Sequence, residues 1–330
     1  MCYTLAMNVK EQVLNQLEKN KGEYISGGSL SEELGVSRNA IWKAIQSLIK
    51  DGYLIESKSR KGYLLQEDSD ILSAQSISKY LKNDLDIKVI PTCSSTNDML
   101  VDLAHDGAKE GTVIISTEQT KGKGRTGKSF YSPKDTGVYI SILLRPDTSP
   151  EDSLYFTTIA AVATAKAIES VSDKKTDIKW VNDVYIEGKK VSGILTEAAL
   201  SMEMNKLDYA VVGIGINITP PKGGFPKDIK KIATTVFDKK ADSKNKTSIL
   251  VANLLDYYMY YYNSNDMKSH LKEYINRSNI IGKNIEIEKG NMKIRARAID
   301  IDSKCRLKIK DEEGKVSLLS YGEVSIDIQD

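Results

Sequence analysis

The sequence predicts a multidomain α+β protein: a winged helix-turn-helix at the front, a mixed-sheet α/β domain in the middle and a small β-barrel at the end. Three observations predict it. Residues 9–49 place apolar side chains at helical spacing around one glycine turn. Residues 112–217 alternate strand-like apolar runs with a long helical stretch, and the chain from 278 onward holds short runs with the alternation of strands. A chain of 330 residues suits two or three domains, and the breaks in pattern put them at 1–68, 69–277 and 278–330.

In the front module, Val9, Val13, Leu14 and Leu17 share one face of a first helix. Ser29–Leu34 make a short second helix that Gly35 stops by permitting a left-handed residue. Ser37 caps a third helix, in which Ile41, Ala44, Ile45, Leu48 and Ile49 recur at i, i+3, i+4, i+7 and i+8. Ser37, Arg38, Asn39, Trp42, Lys43 and Gln46 lie at the start or on the outer face of that helix, with groups suited to base edges and phosphates in a major groove. The run YLIESKSRKGYLL then reads as two short strands around a basic wing tip of Lys58, Arg60 and Lys61, where a phosphate backbone would pass. A three-helix winged module also serves as a protein-docking unit, so DNA binding and protein docking both stand at this point.

QEDSD at 66–70 is a polar break, after which ILSAQSISKYL reads as a short helix. Beyond it TVIIS, GVYISILL and YAVVGIGINI read as buried strands and DSLYFTTIAAVATAKAIESV as a long helix. KWVNDVYIEGKKVSGILTE reads as strand, turn and strand, bending at Glu187-Gly188-Lys189. IIGKNIEIEKG, KIRARAIDID, CRLKIKD and KVSLLSY are four short strands of the expected barrel.

Whole-chain quantities exclude several classes. The 47 basic and 45 acidic residues leave a net charge of +2, so nucleic-acid binding must come from a local basic surface. Cys2, Cys93 and Cys305 lie far apart with no C-x-x-C pair, which argues against zinc, redox or disulfide frameworks and fits a reducing cytosol. With only His105 and His270, a site built on several imidazoles is excluded, no metal site is expected, and each histidine is read as a surface or packing residue. No apolar run approaches the roughly 20 residues of a membrane span, and the first residues lack a signal-peptide pattern, so a soluble cytoplasmic protein is expected.

Residues 122–129, GKGRTGKS, satisfy the pattern of a nucleotide-phosphate loop. The architecture around them does not. A phosphate loop leaves a strand directly and opens a helix, whereas here TVIIS is followed by TEQTK, and FYSPKDTG after Lys128 cannot begin a helix. Gly122, Gly124 and Gly127 interleaved with Lys121, Lys123, Arg125 and Lys128 instead suit a mobile loop that folds over an anion. GIGIN at 213–217 likewise lacks the third glycine and the helix of a dinucleotide fingerprint.

In order, the chain carries Ser95-Thr96-Asn97, Gln119 before GKGRTG, KWVND, GKKVSGIL and GIGIN, behind a winged helix and ahead of a small β module. This series resembles the bacterial bifunctional biotin-protein ligases that also repress biotin operons, over nearly the whole chain from about residue 8. The resemblance implies a class II synthetase-like catalytic domain and an SH3-like C-terminal barrel. It implies ATP, Mg2+ and biotin, formation of biotinyl-5′-adenylate, and transfer to a lysine of a biotin carboxyl carrier protein. It also implies operator DNA as a partner and a ligand-promoted homodimer. By position it gives Ser95, Thr96, Asn97, Gln119, Lys123, Gly124, Arg125 and Lys190 to biotin, and Gly122, Gly127, Phe130, Asn182 and Asn217 to the nucleotide. Lys190, Arg125 and Asp183 are the implied catalytic groups: two cations at a reacting carboxylate, and an acid for magnesium water or for the incoming lysine. For Asn217 a hydrogen-bonded strand end is the competing reading. Val181 stands where the family has proline, and lysines and a threonine replace some loop arginines, Lys123, Thr126 and Lys128 among them. A non-catalytic biotin-sensing regulator, a phosphate-loop hydrolase and a lipoate ligase are the alternatives.

Overall fold

The computed structural model of the chain describes residues 7–201, 206–289 and 292–326. They fall into two compact units, Met1–Lys82 with Lys244–Ala252, and Asn83–Ser243 with Asn253–Asp330.

The first unit holds α1 (Val9–Lys19), α2 (Gly27–Leu34) and α3 (Arg38–Lys50), each opened by a side-chain cap. Asn8 and Glu11 form a capping box on α1, and Ser37 Oγ accepts from the Ala40 N–H on α3. The second helix begins two residues earlier than the sequence reading put it, because Ser26 and not a later serine accepts the Ser29 N–H. Gly35 ends it at φ +64°, the left-handed conformation that glycine adopts without a Cβ clash. Val13, Leu17, Leu30, Ile41, Ile45, Leu48 and Leu65 form its dry core. Ile49, expected on that face, is 39% exposed, since eight residues rotate the apolar stripe about 80° past Ile41. The wing is β1 (Ile55–Lys58) paired antiparallel with β2 (Gly62–Leu65). A Cβ on Gly62 would lie 2.0 Å from the Ile25 carbonyl oxygen, so only glycine lets the wing seat on the α1–α2 connection. A short α4 (Ala74–Ser78) follows, opened by a Ser73–Ser76 capping box.

The second unit is built on a seven-stranded mixed sheet in the order β3-β4-β5-β9-β8-β7-β6. Its strands are β3 (Asp86–Ile90), β4 (Thr112–Ser116), β5 (Gly137–Leu144), β6 (Asp177–Lys179), β7 (Asp183–Ile186), β8 (Lys189–Ser201) and β9 (Lys206–Asn217). Only the β3–β4 pair is parallel, with α5 (Thr96–His105) as its crossover. β7 and β8 turn at Glu187 and Gly188, both at positive φ, in the two-residue hairpin geometry. α6 (Ser153–Val171) is buried along most of its length, which explains its near-continuous apolar run. α7 (Lys246–Tyr262) begins in the segment of the first unit and continues into the second, which also holds α8 (Leu271–Asn276).

The C-terminal segment differs from the expected barrel. Five strands, not four, pair antiparallel in the order β13-β12-β11-β10-β14. They are β10 (Asn284–Lys289), β11 (Met292–Ile301), β12 (Leu307–Asp311), β13 (Val316–Leu319) and β14 (Glu323–Ile326). Among the described residues β13 and β14 are edges that do not pair with each other, so the sheet is open. β13 and β14 are four residues each, and β14 gave too brief an alternation to read.

Of the two histidines, His270 packs in the interior and His105 lies at the surface. His270 is fully buried and its Nε2 lies 2.8 Å from Thr158 Oγ1; burial lowers its pKa from 6.5 to about 4. His105 Nε2 meets Tyr209 Oη at 3.1 Å. Among the described residues, no helix is long and apolar enough to cross a membrane.

Candidate active site

Residues 122–129 form no phosphate loop. Gly124 N–H donates to the Lys128 carbonyl at 2.7 Å and Phe130 N–H to the Gly122 carbonyl at 2.9 Å, so the segment doubles back on itself around one 3-10 turn at Arg125–Gly127. No helix follows before β5. A Cβ on Gly122 would lie 2.5 Å from the Phe130 carbonyl oxygen, so the glycine is needed where the two arms of the loop touch.

The loop lies over a cavity whose floor is the β8–β9 ladder. Gly213 and Gly215 point to one face of β9, two residues apart, and Gly193 of β8 is the partner of Gly215. Their missing side chains are replaced by others lying flat. A Cβ on Gly213 would come within 2.2 Å of Asn97 Oδ1, and one on Gly215 within 2.5 Å of the Phe130 ring. One on Gly193 would meet Lys190 Nζ at 3.0 Å. A polar group therefore sits over Gly213 and a ring with a cation over Gly215 and Gly193, separated by one strand repeat of roughly 7 Å.

At the polar end, Ser95 caps α5 by accepting the Asp98 N–H at 3.4 Å. Gln119 Oε1 accepts from the Thr96 N–H at 2.8 Å and the Thr96 hydroxyl at 3.1 Å, while its Nε2 donates to Ser132 Oγ at 3.2 Å. Asn97 donates to Glu197 Oε2 at 2.7 Å and to the Leu195 carbonyl at 3.3 Å. Lys123 reaches down from the loop to Asp98, with Glu197 3.9 Å away, and the hydrogen bond to Asp98 raises its pKa.

At the cationic end, Lys190 Nζ lies 2.7 Å from Asp183 Oδ1, an ion pair whose angle falls outside hydrogen-bond geometry, and 5.9 Å above the Phe130 ring. Lys190 is anchored through its backbone, its N–H donating to the Ile232 carbonyl and its carbonyl accepting from Thr234. Arg125 Nη1 donates to Asn182 Oδ1 at 3.1 Å, and Asn182 Nδ2 donates to the Ile194 carbonyl at 2.8 Å. The turn carrying Asn182 and Asp183 is fixed from beneath: Trp180 Nε1 donates to the Cys305 carbonyl at 2.9 Å and Tyr274 Oη to the Val181 carbonyl at 3.0 Å. The Trp180–Val181 peptide is cis.

Ten residues singled out in the sequence line this cavity together: Ser95, Thr96, Asn97, Gln119, Lys123, Gly124, Arg125, Phe130, Asn182 and Lys190. Asp183 stands behind Lys190, Gly122 supports the loop and Gly127 is at its tip with φ +75°. Asn217 is outside the lining; its amide donates to the Thr234 carbonyl at 3.0 Å and holds the segment beside Lys190. Tyr139, Gly193, Ile194, Leu195, Gly213, Ile214 and Gly215 also line the cavity; all but Tyr139 lie in the GKKVSGIL and GIGIN motifs, but none was given a site role from the sequence. The signal available for the floor was Gly213 and Gly215 alternating along an otherwise apolar strand, which marks close approach of another group.

In the first unit Ser37, Arg38, Asn39, Lys43 and Gln46 are exposed at the start or on the outer face of α3, as are Lys58, Arg60 and Lys61 on the wing. Trp42 stands among them, 51% exposed.

Comparison with known proteins fits each part. Residues 89–217 match the biotin/lipoate A/B protein ligase family, residues 9–64 an HTH domain and residues 280–327 the biotin protein ligase C-terminal domain. The chain is 35% identical over 250 residues to the bifunctional ligase/repressor BirA of Bacillus subtilis (strain 168), covering 75% of this chain and 76% of that protein. It is 33% identical over 197 residues to the protein of that name from Escherichia coli (strain K12), covering 60% of each. The structure of the Aquifex aeolicus biotin protein ligase in complex with biotin and ATP aligns with a TM-score of 0.56 at 26% identity, over 73% of this chain and 98% of that one. This chain belongs to the biotin/lipoate A/B protein ligase family, among its bifunctional ligase/repressors with an N-terminal helix-turn-helix.

Proposed function

We infer that the chain is a biotin-protein ligase and a biotin-dependent transcriptional repressor, with the work divided among a DNA-reading part at 1–68, a catalytic part at 69–277 and a C-terminal part at 278–330. The biotin carboxylate attacks the α-phosphorus of ATP and pyrophosphate leaves. The ε-amine of a carrier-domain lysine then attacks the acyl carbon of biotinyl-5′-adenylate and AMP leaves. The observation that carries this reading is one cavity with a hydrogen-bonding end over Gly213, where Lys123 is balanced by Asp98 and Glu197, and a cationic end over Gly193 and Gly215. A cyclic urea at one end and a carboxylate at the other have the same polarity.

Each residue then has a task. Ser95, Thr96, Asn97 and Gln119 meet the fused rings. Lys190 and Arg125 offset the repulsion between carboxylate and phosphate as charge builds in the transition state. Phe130 gives the adenylate an apolar face, and Asn182 holds Arg125 in place. The 122–129 loop covers the mixed anhydride and excludes water, with Lys123 fastening it to Asp98. Asn217 acts through the segment it ties beside Lys190. Mg2+ supplies charge neutralisation of the triphosphate. The group suited to it is the Asp183 carboxylate, whose Oδ1 is buried beside Lys190 and is a hard oxygen donor. The reaction places the protein's work in the cytoplasm.

Transfer is tested with biotin, ATP and a carboxyl carrier domain: the expected product is acceptor biotinylated on one lysine. Unlabelled acceptor in the presence of bound biotin would leave a sensor that does not turn over.

For repression, α3 would enter the major groove and Lys58, Arg60 and Lys61 would lie on the phosphate backbone. One such module makes few phosphate contacts, so an operator with two half-sites and a homodimer promoted by the adenylate are expected. Sedimentation with biotin and ATP should show a shift toward dimer; an unchanged sedimentation coefficient removes ligand-promoted dimerisation from the account.

A further inference from the structure

The hydrogen bonds at the polar end of the cavity form one connected set, and the residue at its centre is not in the cavity lining. Ser141 lies on β5 opposite Gly213 of β9 and is fully buried. Its Oγ is 2.6 Å from Asn97 Oδ1 and 2.8 Å from Thr96 Oγ1, so it joins two residues that face the ligand.

Proton counting fixes the direction of the set. Asn97 Nδ2 faces two acceptors, the Glu197 carboxylate at 2.7 Å and the Leu195 carbonyl at 3.3 Å, so both of its N–H groups are engaged and Oδ1 faces Ser141. A serine hydroxyl has one proton and an amide oxygen has none, so Ser141 donates to Asn97. The Thr96 hydroxyl gives its own proton to Gln119 Oε1 at 3.1 Å, while its oxygen accepts at 2.8 Å from the same Ser141 hydroxyl that reaches Asn97. With both donors engaged and one lone pair taken, Asn97 has a single acceptor position left for the cavity. A ligand N–H needs such an acceptor.

We propose that Ser141 is a positioning residue for biotin: through Asn97 it presents one carbonyl lone pair to an N–H of the ligand's cyclic urea. This rests on the biotin reading of the cavity. Gly213 is part of the same device, because the Asn97 amide occupies the volume that any Cβ there would fill. Without the Ser141 hydroxyl, Asn97 Oδ1 loses its buried donor. The amide is then held from the Nδ2 side alone and no longer points its oxygen in one direction.

The test is calorimetric titration of the full-length protein with biotin and, separately, with ATP, for wild type, Ser141→Ala and Ser141→Cys, each repeated in an Asn97→Ala background. Ser141→Ala is expected to weaken biotin binding about tenfold, the scale of one buried hydrogen bond, and to leave ATP affinity unchanged. Ser141→Cys keeps the volume with a weaker donor and should fall between the two. In the Asn97→Ala background the tenfold effect should vanish, which a merely structural serine would not produce. Unchanged biotin affinity, an equal loss for ATP, or the same tenfold loss on top of Asn97→Ala would each overturn the proposal. If Ser141→Ala does not fold, Ser141→Cys carries the same comparisons. Wild-type protein that fails to bind biotin would overturn the cavity assignment itself, whereas wild-type binding with an unaffected Ser141→Ala overturns only the role of Ser141.

Discussion

Replacing Lys190 by alanine should lower biotin-dependent pyrophosphate release by about 10²–10³-fold, the range seen when one preorganised electrostatic group is removed from a site of developing charge. Its Nζ lies within 3 Å of where a Cβ on Gly193 would stand, and its backbone is pinned by Ile232 and Thr234, so the ammonium is held and not merely nearby. The substitution also leaves the half-buried Asp183, 2.7 Å away in the wild type, as an uncompensated anion facing two incoming anions. Both effects act on the chemical step. Biotin affinity should change much less than turnover, because the proposed reading puts recognition of the fused rings at the Gly213 end. Measured turnover within tenfold of wild type would remove Lys190 from the reaction.

Gly213→Ala is expected to weaken biotin binding about tenfold to a hundredfold while leaving the fold intact. The added Cβ would lie 2.2 Å from Asn97 Oδ1 and 2.8 Å from its Cγ, contacts no real side chain tolerates. Asn97 is nearly fully buried and tied to Ser141, Glu197 and Leu195, so it has no free volume to retreat into. Overpacking of this kind costs about 1–3 kcal/mol, so biotin affinity should fall by about tenfold to a hundredfold, with a smaller loss of melting temperature. The backbone at Gly213 does not have positive φ, so the effect comes from displaced side chains and not from conformational strain. Titration of the purified variant with biotin checks this; wild-type affinity would mean that Asn97 is not fixed where the hydrogen bonds put it.

Much of this architecture is legible in the sequence for identifiable reasons. Helix caps are local: Ser37, Gly35 and the helical spacing of Ile41, Ala44, Ile45 and Leu48 specify α3 without long-range information. The rejection of a phosphate loop was equally local, since Pro133 and the lack of an apolar period after Lys128 exclude the helix it requires. The candidate site residues came from the ordered series of motifs, and ten of them line one cavity. What could not be read depends on pairing across the sheet. Gly193 is opposite Gly215, and Ser141 opposite Gly213, only because β5, β9 and β8 are adjacent in that register. Asn217, matched by position to the nucleotide, donates its amide to a loop carbonyl 17 residues on, as the competing reading of a hydrogen-bonded strand end has it. The small C-terminal β module was legible but its closure was not, for a related reason: four alternating runs establish strands, but closure depends on whether the edges meet, and among the described residues β13 and β14 do not pair.

The most direct test of the central claim is pyrophosphate release from ATP by the wild-type protein, measured with and without biotin. Release that requires biotin, and that continues past a single turnover only when a carboxyl carrier domain is added, is the result this account predicts. Release at the same rate without biotin would contradict it and return residues 122–129 to phosphate-loop hydrolysis, while biotin binding without release would reduce the cavity to a sensor.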